Sequence, residues 1–298
     1  MIYFAVRVAS ALLSILPVRL SYALAGAIGE AYSVLRPSHS RWAADNLSRV
    51  LNEPPSSTIV RRVARKSFGN YARVLVDFLR LPHVSRAEIM AQASVLDLDN
   101  LAHAAAYEKG FILVTGHMGS WDRAGAILTG YGYTATFLVD TFSPPELDAW
   151  VTRMRRKFGM SAVAVENPGA LREMFRALQR KEVLVLLIDT PDPRGISVTF
   201  FGEQTTFPAG VAQLALRTGC PVIVAGLFRR PDFVTYDGFT ELIPPVVAGP
   251  DAAADAKALT QRIVSILEKA IVAHPDQWYM FRPLWRAGST ICHDRDSI

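Results

Sequence analysis

The sequence between residues 111 and 122 is Phe111-Ile112-Leu113-Val114-Thr115-Gly116-His117-Met118-Gly119-Ser120-Trp121-Asp122. Its first five residues form an apolar run with the length of a buried strand. A turn with two glycines follows, and an amphipathic stretch of helical periodicity begins at Trp121. The segment therefore predicts a strand that leads through a tight turn into a helix, which is the repeating unit of an α/β sheet.

The same alternation continues toward the C-terminus. Further apolar runs lie at residues 134–139, 162–165, 183–188 and 222–227. Amphipathic stretches lie at residues 121–128, 146–158, 169–179 and 209–217, and a last helix is predicted at about 253–273. Apolar strands that alternate with helices predict an α/β fold whose central sheet is mostly parallel and is covered by helices on both faces.

The first 36 residues predict a separate helical segment. They are apolar, but Pro17, Gly26, Gly29 and Glu30 interrupt the runs, so that neither run reaches the ~18–20 residues of a membrane span. We interpret residues 1–36 as a helical segment that associates with the membrane, lying in its interface, and residues 37–298 as the α/β domain. The alternative is an ordinary buried helical pair.

A further helix is predicted at residues 59–79, and it has one apolar and one basic side. The basic side carries Arg61, Arg62, Arg65 and Lys66. Two interpretations are open for this side: contact with lipid headgroups, or an ordinary solvated helix face.

The composition excludes several classes of protein. With 298 residues, 50% of them hydrophobic and 20% charged, the chain is not disordered. Two distant cysteines, Cys220 and Cys292, make neither a disulfide framework nor a zinc site. A net charge of +5 is too small to indicate nucleic acid. It fits an anionic membrane surface or a phosphate-bearing ligand, or simply a solvated basic surface.

Polar residues follow several of the predicted strands. His117 follows the run at 111–115, Asp140 the run at 134–139, Asp189 the run at 183–188, and Arg229 and Arg230 the run at 222–227. Ligands of open α/β sheets bind beyond the carboxyl ends of the strands. If these strands are parallel neighbours, their polar residues meet at one edge and form a candidate acid–base site.

His117 and Asp122 are the strongest candidates for an acid–base pair. An imidazole exchanges a proton near neutral pH, and a carboxylate one turn away could orient it, as the acid of a hydrolase triad does. The backbone NH groups of Met118, Gly119 and Ser120, next to a helix start, are expected to bind an oxyanion. The alternative is a buried histidine that is merely satisfied by a local aspartate.

Other chemistries fit the sequence less well. Ser120 does not lie in a Gly-x-Ser-x-Gly turn, because Met118 occupies the first glycine position. There is no zinc motif and no phosphate loop, and Asp189 and Asp192 lie in a proline-rich turn where aspartate is common. We therefore expect no metal and no cofactor, and we expect His117 to deprotonate a hydroxyl of the substrate.

The segment from Gly116 to Asp122 resembles the His-x4-Asp/Glu motif of glycerolipid acyltransferases, which belong to the lysophospholipid acyltransferase-like superfamily. The form of the motif is similar to that of bacterial lipid A biosynthesis (late) acyltransferases and phosphatidylinositol mannoside acyltransferases. The resemblance continues in the expected order over about residues 40–286. It includes Arg155-Arg156-Lys157-Phe158-Gly159-Met160, Ile188-Asp189-Thr190-Pro191-Asp192, Val198-Thr199-Phe200-Phe201-Gly202-Glu203, Pro208-Ala209-Gly210, Leu214-Ala215 and His274-Pro275-Asp276-Gln277-Trp278-Tyr279.

This resemblance implies transfer of a fatty acyl group from acyl-CoA or acyl carrier protein to a hydroxyl of a membrane glycolipid. It implies His117 as the general base, Asp122 as its orienting carboxylate, and Asp189 as a further acidic residue of the site. Asp140 and Arg155 correspond to positions associated with the active site. The implied location is the cytoplasmic face of the inner membrane, and no oligomeric state is implied.

Two residue assignments carry open alternatives. Arg155 is expected to bind an acceptor phosphate, unless it is a solvated arginine of a basic helix face. Phe200, Phe201 and Phe207 are expected either to line an acyl groove or to pack in the core. The rival functions are a lysophospholipid acyltransferase, a non-catalytic lipid-binding protein with the same fold, and a serine hydrolase that uses Ser120.

Overall fold

The computed structural model describes residues 1–95 and 98–285. Cys292 and the end of the predicted α/β domain, residues 286–298, lie outside the described residues. The strands are β1 (Ala93–Val95), β2 (Phe111–Thr115), β3 (Ala135–Val139), β4 (Met160–Ala164), β5 (Val183–Leu187), β6 (Ile196–Phe200), β7 (Glu203–Phe207), β8 (Val222–Arg229) and β9 (Tyr236–Ile243). The helices are α1 (Ile2–Ile15), α2 (Val18–Leu35), α3 (Pro37–Leu51), α4 (Thr58–Arg80), α5 (Arg86–Gln92), α6 (Asp99–Ala105), α7 (Trp121–Gly130), α8 (Pro145–Lys157), α9 (Ala170–Gln179), α10 (Gly210–Thr218) and α11 (Ala252–Ala273).

The central sheet has seven strands in the order β1-β9-β8-β2-β5-β3-β4. The five strands β8, β2, β5, β3 and β4 are parallel neighbours, which confirms the predicted mostly parallel sheet. Strand β9 is antiparallel to β8, and β1 is parallel to β9. The sequence of β9, Tyr236-Asp237-Gly238-Phe239-Thr240-Glu241-Leu242-Ile243, has no continuous apolar run, so this strand was not predicted.

Packing on the two faces of the sheet explains why β2 is continuously apolar. Ile112 and Val114 lie in a core cluster with Leu267 of α11. Phe111 lies in another cluster, with Leu101 of α6. Because alternate residues of a strand point to opposite faces, a strand covered on both sides needs apolar residues at every position. Strands β6 and β7 form a separate antiparallel hairpin.

Helices α1, α2 and α4 form a layer beside the sheet. Helix α2 packs tightly on α4, since a Cβ atom at Gly29 would lie only 2.4 Å from the carbonyl oxygen of Phe68. Helix α2 ends at Leu35 and α3 begins at Pro37, next to the predicted boundary at residue 36. Among the described residues, no helix has both the length and the apolar character needed to cross a membrane.

Candidate active site

His117 and Asp189 meet at the carboxyl edge of the sheet. Strands β2 and β5 are parallel neighbours in register, with Thr115 opposite Leu187, so that His117 and Asp189 each come two residues after a paired strand end. The Nδ1 atom of His117 lies 2.7 Å from Oδ1 of Asp189. Of the polar residues predicted to meet at this edge, these two do so.

The second oxygen of Asp189 also has partners. Its Oδ2 atom accepts hydrogen bonds from the backbone NH of His117 at 2.8 Å and from the indole Nε1 of Trp278 at 3.0 Å. Gly116 makes room for this carboxylate, since a Cβ atom there would lie 2.8 Å from Oδ2. The orientation of the carboxylate is thus fixed by three hydrogen bonds.

The electrostatics of the pair suit a general base. The side chain of Asp189 is 0% exposed and that of His117 is 37% exposed. Burial by itself would raise the pKa of Asp189, but the charge of His117 and the hydrogen bonds outweigh burial and hold this pKa below its ordinary value. An ionised carboxylate can only accept, so the proton of the ring is on Nδ1 and Nε2 is its basic nitrogen.

Asp122 does not orient His117, and this corrects the prediction from the His-x4-Asp spacing. Its carboxylate instead pairs with Arg155 of α8, with Nε 2.9 Å from Oδ1 and Nη2 3.5 Å from Oδ2. Asp122 lies in the first turn of α7, where its side chain is directed to α8 and not back to the turn. Arg155 is buried, which excludes the alternative of a solvated helix face.

The proposed oxyanion site in the turn is also corrected. The NH of Met118 donates to the carbonyl of Gly116 at 2.8 Å, that of Gly119 to Gln277 at 2.9 Å, and that of Ser120 to Leu227 at 2.9 Å. The NH of Met118 is thus engaged within the turn, that of Gly119 by the segment before Tyr279, which runs antiparallel beside the turn, and that of Ser120 by β8. At Gly119, with φ of +60°, a Cβ atom would lie 2.0 Å from the carbonyl oxygen of Leu227, so only glycine fits.

Ser120 belongs to a buried ionic cluster around Asp77 of α4. The hydroxyl of Ser120 donates to Oδ2 of Asp77 at 2.8 Å. The hydroxyls of Tyr22 and Tyr236 donate to the same carboxylate at 2.6 and 2.9 Å. Since Ser120 is buried and its hydroxyl is engaged, the geometry gives no support to a serine hydrolase.

Two arginines complete this cluster, which we call the Asp77 cluster. Arg123 Nε lies 3.1 Å from Asp77, and Arg229 forms a second buried ion pair with it. Burial by itself would raise the pKa of Asp77, but Arg229, Arg123 and the hydroxyl donors outweigh burial and lower it. Arg229 was predicted at the edge of the sheet and lies there, although it is buried in this cluster.

Within the described residues, the remaining predicted residues make no hydrogen bond to His117 or Asp189. Asp140 is exposed at the end of β3, and Arg230 pairs with Asp237 at 3.2 Å. Phe200 and Phe207 are fully buried, with ring centroids 5.2 Å apart. These two rings pack in the core, as the alternative had it, while Phe201 is only partly buried against that core.

Sequence reasoning assigned no role to Asp77 or Trp278. Asp77 is the one charged residue in the otherwise apolar run at 74–79 of the predicted helix. An acid in that position is a detectable sign of a buried ion pair. Trp278 was seen only as part of the segment from His274 to Tyr279, and its bond to Asp189 depends on the tertiary fold.

The fold presents the imidazole of His117 at the edge of an α/β sheet, hydrogen-bonded to the buried carboxylate of Asp189. Similarity to known proteins identifies the class of this enzyme as an acyltransferase. The chain matches the family model described as bacterial lipid A biosynthesis acyltransferase over residues 1–287, and it therefore belongs to this family.

Relatives with known names agree with this assignment. The chain is 29% identical to the phosphatidylinositol mannoside acyltransferase of Mycolicibacterium smegmatis over 248 residues, which are 81% of this chain and 78% of the relative. It is 28% identical to the enzyme of the same name from Mycobacterium tuberculosis, over 81% of this chain and 76% of the relative. It is 24% identical to the lipid A biosynthesis acyltransferase of Haemophilus influenzae, over 76% of this chain and 69% of the relative.

Proposed function

We propose that the enzyme transfers a fatty acyl group from a thioester, acyl-CoA or acyl carrier protein, to a hydroxyl of a membrane glycolipid. The observation that carries this proposal is the pair of His117 and Asp189 at the sheet edge, with Nδ1 and Oδ1 2.7 Å apart. The glycolipid acceptor is suggested by the names of the relatives, which act on phosphatidylinositol mannoside or in lipid A biosynthesis.

In the proposed reaction His117 is the general base. Its Nε2 removes the proton of the acceptor hydroxyl as the oxygen attacks the thioester carbonyl carbon. The tetrahedral intermediate then collapses to an ester, the carbon–sulfur bond breaks, and the imidazolium returns its proton to the leaving thiolate. Asp189 stabilises the imidazolium that forms between these steps. Ester and thiol are the only products, and the reaction as proposed uses no metal and no cofactor.

The other predicted residues take supporting roles in this proposal. Asp122 positions Arg155, which keeps a guanidinium near the turn that carries His117. Asp140 is proposed to contact the acceptor, since it is exposed at the end of β3, next to β5. The contribution of Met118, Gly119 and Ser120 is the shape of the turn.

We also propose that residues 1–36 lie in the interface of the cytoplasmic face of the inner membrane. The helices of this segment have the polarity of a lipid-facing surface. Apart from Tyr22, whose hydroxyl binds Asp77, the residues that they bury are small, namely Ser10, Ser21, Gly26, Gly29 and Ser33. They expose large apolar side chains, namely Phe4, Val8, Leu12, Ile15, Leu20, Leu24 and Ile28. A helix that faces water has the reverse arrangement.

Replacement of His117 tests the proposed reaction. We expect His117→Ala to lower kcat for acyl transfer by about 10²–10⁴-fold, because a positioned general base contributes this much. The assay follows the release of free thiol from an acyl thioester in the presence of glycolipid acceptor. The control is His103→Ala, on α6, which we expect to retain wild-type kcat.

Near-normal turnover by His117→Ala would contradict the mechanism. Lipid binding by the wild-type protein without any turnover would instead support the rival function, a non-catalytic lipid-binding protein.

A further inference from the structure

The start of α4 concentrates positive charge. Its first three turns carry Arg61, Arg62, Arg65 and Lys66, and its first turn has no acidic residue. Arg65 pairs with Glu30 of α2 at 3.3 Å. Within the described part of the chain, no ion pair is formed by Arg61 or Arg62, and both are exposed. Among the residues that the structure describes, the pair of Arg65 and Glu30 is therefore the one ion pair that these four cations form.

This arrangement is unfavourable for the helix itself. Like charges at positions i and i+4, as in Arg61 with Arg65 and Arg62 with Lys66, destabilise a helix. The start of a helix is also the positive end of its dipole, where acidic residues are favourable and cations are not. An external anion would relieve both effects, so the charge pattern favours an anion-binding role over an ordinary solvated face.

The arginines line a groove and do not stand on a convex surface. The groove has a volume of about 430 Å³ and lies between the end of α2, the start of α3 and the start of α4. Its polar lining consists of three hydroxyl residues and three arginines, namely Ser33, Ser40, Thr58, Arg61, Arg62 and Arg65. The hydroxyls of Ser33 and Ser40 donate to the backbone carbonyls of Glu30 and Ser33, so the donors that remain for a phosphate are the three guanidinium groups and the hydroxyl of Thr58. Guanidinium groups bind phosphate oxygens through paired N–H donors.

The groove continues from the exposed apolar surface of α2. Val34 lines the groove and is 75% exposed, and Leu35 beside it is 76% exposed. If the exposed side of α2 lies in the membrane interface, the groove opens at the level of the lipid headgroups. A groove at this level favours a membrane lipid over a soluble phosphate compound as the ligand.

We propose that this arginine groove binds the phosphate of an anionic phospholipid headgroup, as a site separate from the pair of His117 and Asp189. The inference rests on the proposed membrane contact of residues 1–36 and adds to it a preference for anionic lipid. The bound phospholipid holds the enzyme on the membrane. This phospholipid is not the acceptor of the acyl group.

Vesicle binding tests the proposal. The wild-type chain, the double variant Arg61→Gln/Arg62→Gln and the control Arg172→Gln/Arg262→Gln are sedimented with vesicles of phosphatidylcholine alone or mixed equally with phosphatidylglycerol. The control removes the same charge from exposed positions of α9 and α11. We expect the wild type and the control to prefer the anionic vesicles. We expect the groove variant to bind these vesicles roughly 30-fold more weakly, about fivefold for each arginine.

Folding and soluble ligands are checked in the same series. The groove variant should melt at the same or a higher temperature, because it removes like-charge repulsion, so a loss of binding is not a loss of fold. Addition of free glycerol phosphate should not displace the wild type from the vesicles. Displacement by it, or calorimetric binding of coenzyme A that the groove variant alone loses, would assign the groove to a soluble phosphate and overturn the proposal.

Two further outcomes of the vesicle experiment would also overturn the proposal. Equal binding of the groove variant and the wild type to anionic vesicles would overturn the arginine site and leave the membrane contact intact. A wild type that binds neither kind of vesicle would overturn both. Because the readout is binding, none of these results depends on whether His117 is the general base.

Discussion

Asp189 shows how one buried carboxylate can organise the turn that carries His117. One oxygen holds the ring of His117, and the other holds the backbone NH of the same residue and the indole of Trp278. The ring and the turn that carries it are therefore fixed by a single side chain. A carboxylate that only balanced the charge of the His117 ring would not need to bind the backbone of the turn as well.

Replacement of Asp189 by Asn tests this role at the scale of one residue. The amide keeps the size of the carboxylate, and its oxygen can still accept the two NH bonds. Its NH2 group then faces Nδ1 of His117 and forces the proton of the ring onto Nε2, the nitrogen that must act as the base. We expect kcat to fall about 10²–10⁴-fold with little change in KM, measured by steady-state acyl transfer.

The matched control is Asp192→Asn in the same turn, whose Oδ1 accepts only a local backbone NH, that of Arg194. We expect this variant to retain most of its activity. An Asp189→Asn enzyme with unchanged kcat would show that His117 does not need a carboxylate partner.

At the scale of elements, the polarity of α1 and α2 is reversed relative to a helix in water. Leu12 and Ile28 are 55% and 67% exposed, while Ser10 and Ser21 are buried. The buried side packs on α4, where Gly29 permits close contact with Phe68. The exposed side makes no contribution to the core, and its apolar character is the observation that supports the proposed contact with the membrane interface.

The substitutions Leu12→Gln and Ile28→Gln test this surface. Burial of one such side chain contributes about 1.5–3 kcal/mol, so we expect each substitution to weaken binding to phosphatidylcholine vesicles roughly tenfold or more. The melting temperature should not change, because both side chains are already exposed in the folded protein. The controls are Leu171→Gln and Val272→Gln, which change exposed apolar residues of α9 and α11. Equal binding of all four variants would contradict a lipid contact of α1 and α2.

At the scale of the whole molecule, the Asp77 cluster connects the N-terminal helices to the sheet. Its carboxylate accepts bonds from α2, through Tyr22, and from the turn before α7, through Ser120. It also binds Tyr236 of β9 and Arg229 of β8. The helical layer, the turn that carries His117 and two strands therefore share one buried anion.

We expect Asp77→Asn to lower the free energy of unfolding by about 3–5 kcal/mol, because removal of the anion leaves Arg123 and Arg229 buried without a counter-charge. Urea denaturation measures the change. As a control, Glu108→Gln breaks an exposed ion pair with Lys181, and we expect it to cost less than about 1 kcal/mol. A loss of the same small size for Asp77→Asn would mean that the cluster is not important for stability.

Low pH should destabilise the folded protein through the buried carboxylates of Asp77 and Asp189. The pKa values of Asp77 and Asp189 are lower in the folded protein than their ordinary values. Between the folded and unfolded pKa values the unfolded chain binds more protons, so acidification favours unfolding. The stabilisation is complete above about pH 4, and we expect it to be lost as the pH falls further.

Urea unfolding over a series of pH values measures this dependence. The decline below about pH 4 should be shallower in Asp77→Asn, which lacks one of the two groups. A free energy of unfolding that stays constant or rises on acidification would contradict the prediction.

The sequence by itself determined much of the central sheet, including the edge where His117 and Asp189 meet. The predicted run at 111–115 coincides with β2, and the predicted runs at 134–139 and 183–188 match β3 and β5 within a residue. Strands covered on both faces must be continuously apolar, and this property is visible in a local window of sequence. Because parallel neighbours end at one edge, the convergence of His117 and Asp189 was also predictable.

The tertiary structure alone decided which carboxylate serves His117. Asp122 is five residues away in sequence, yet its helix directs it to Arg155. Asp189 is 72 residues away, yet the pairing of β2 with β5 brings it to 2.7 Å. The antiparallel β9 and the Asp77 cluster were likewise not predictable. Sequence periodicity records which face of an element is buried, whereas the direction of a polar side chain depends on the partners that distant elements supply.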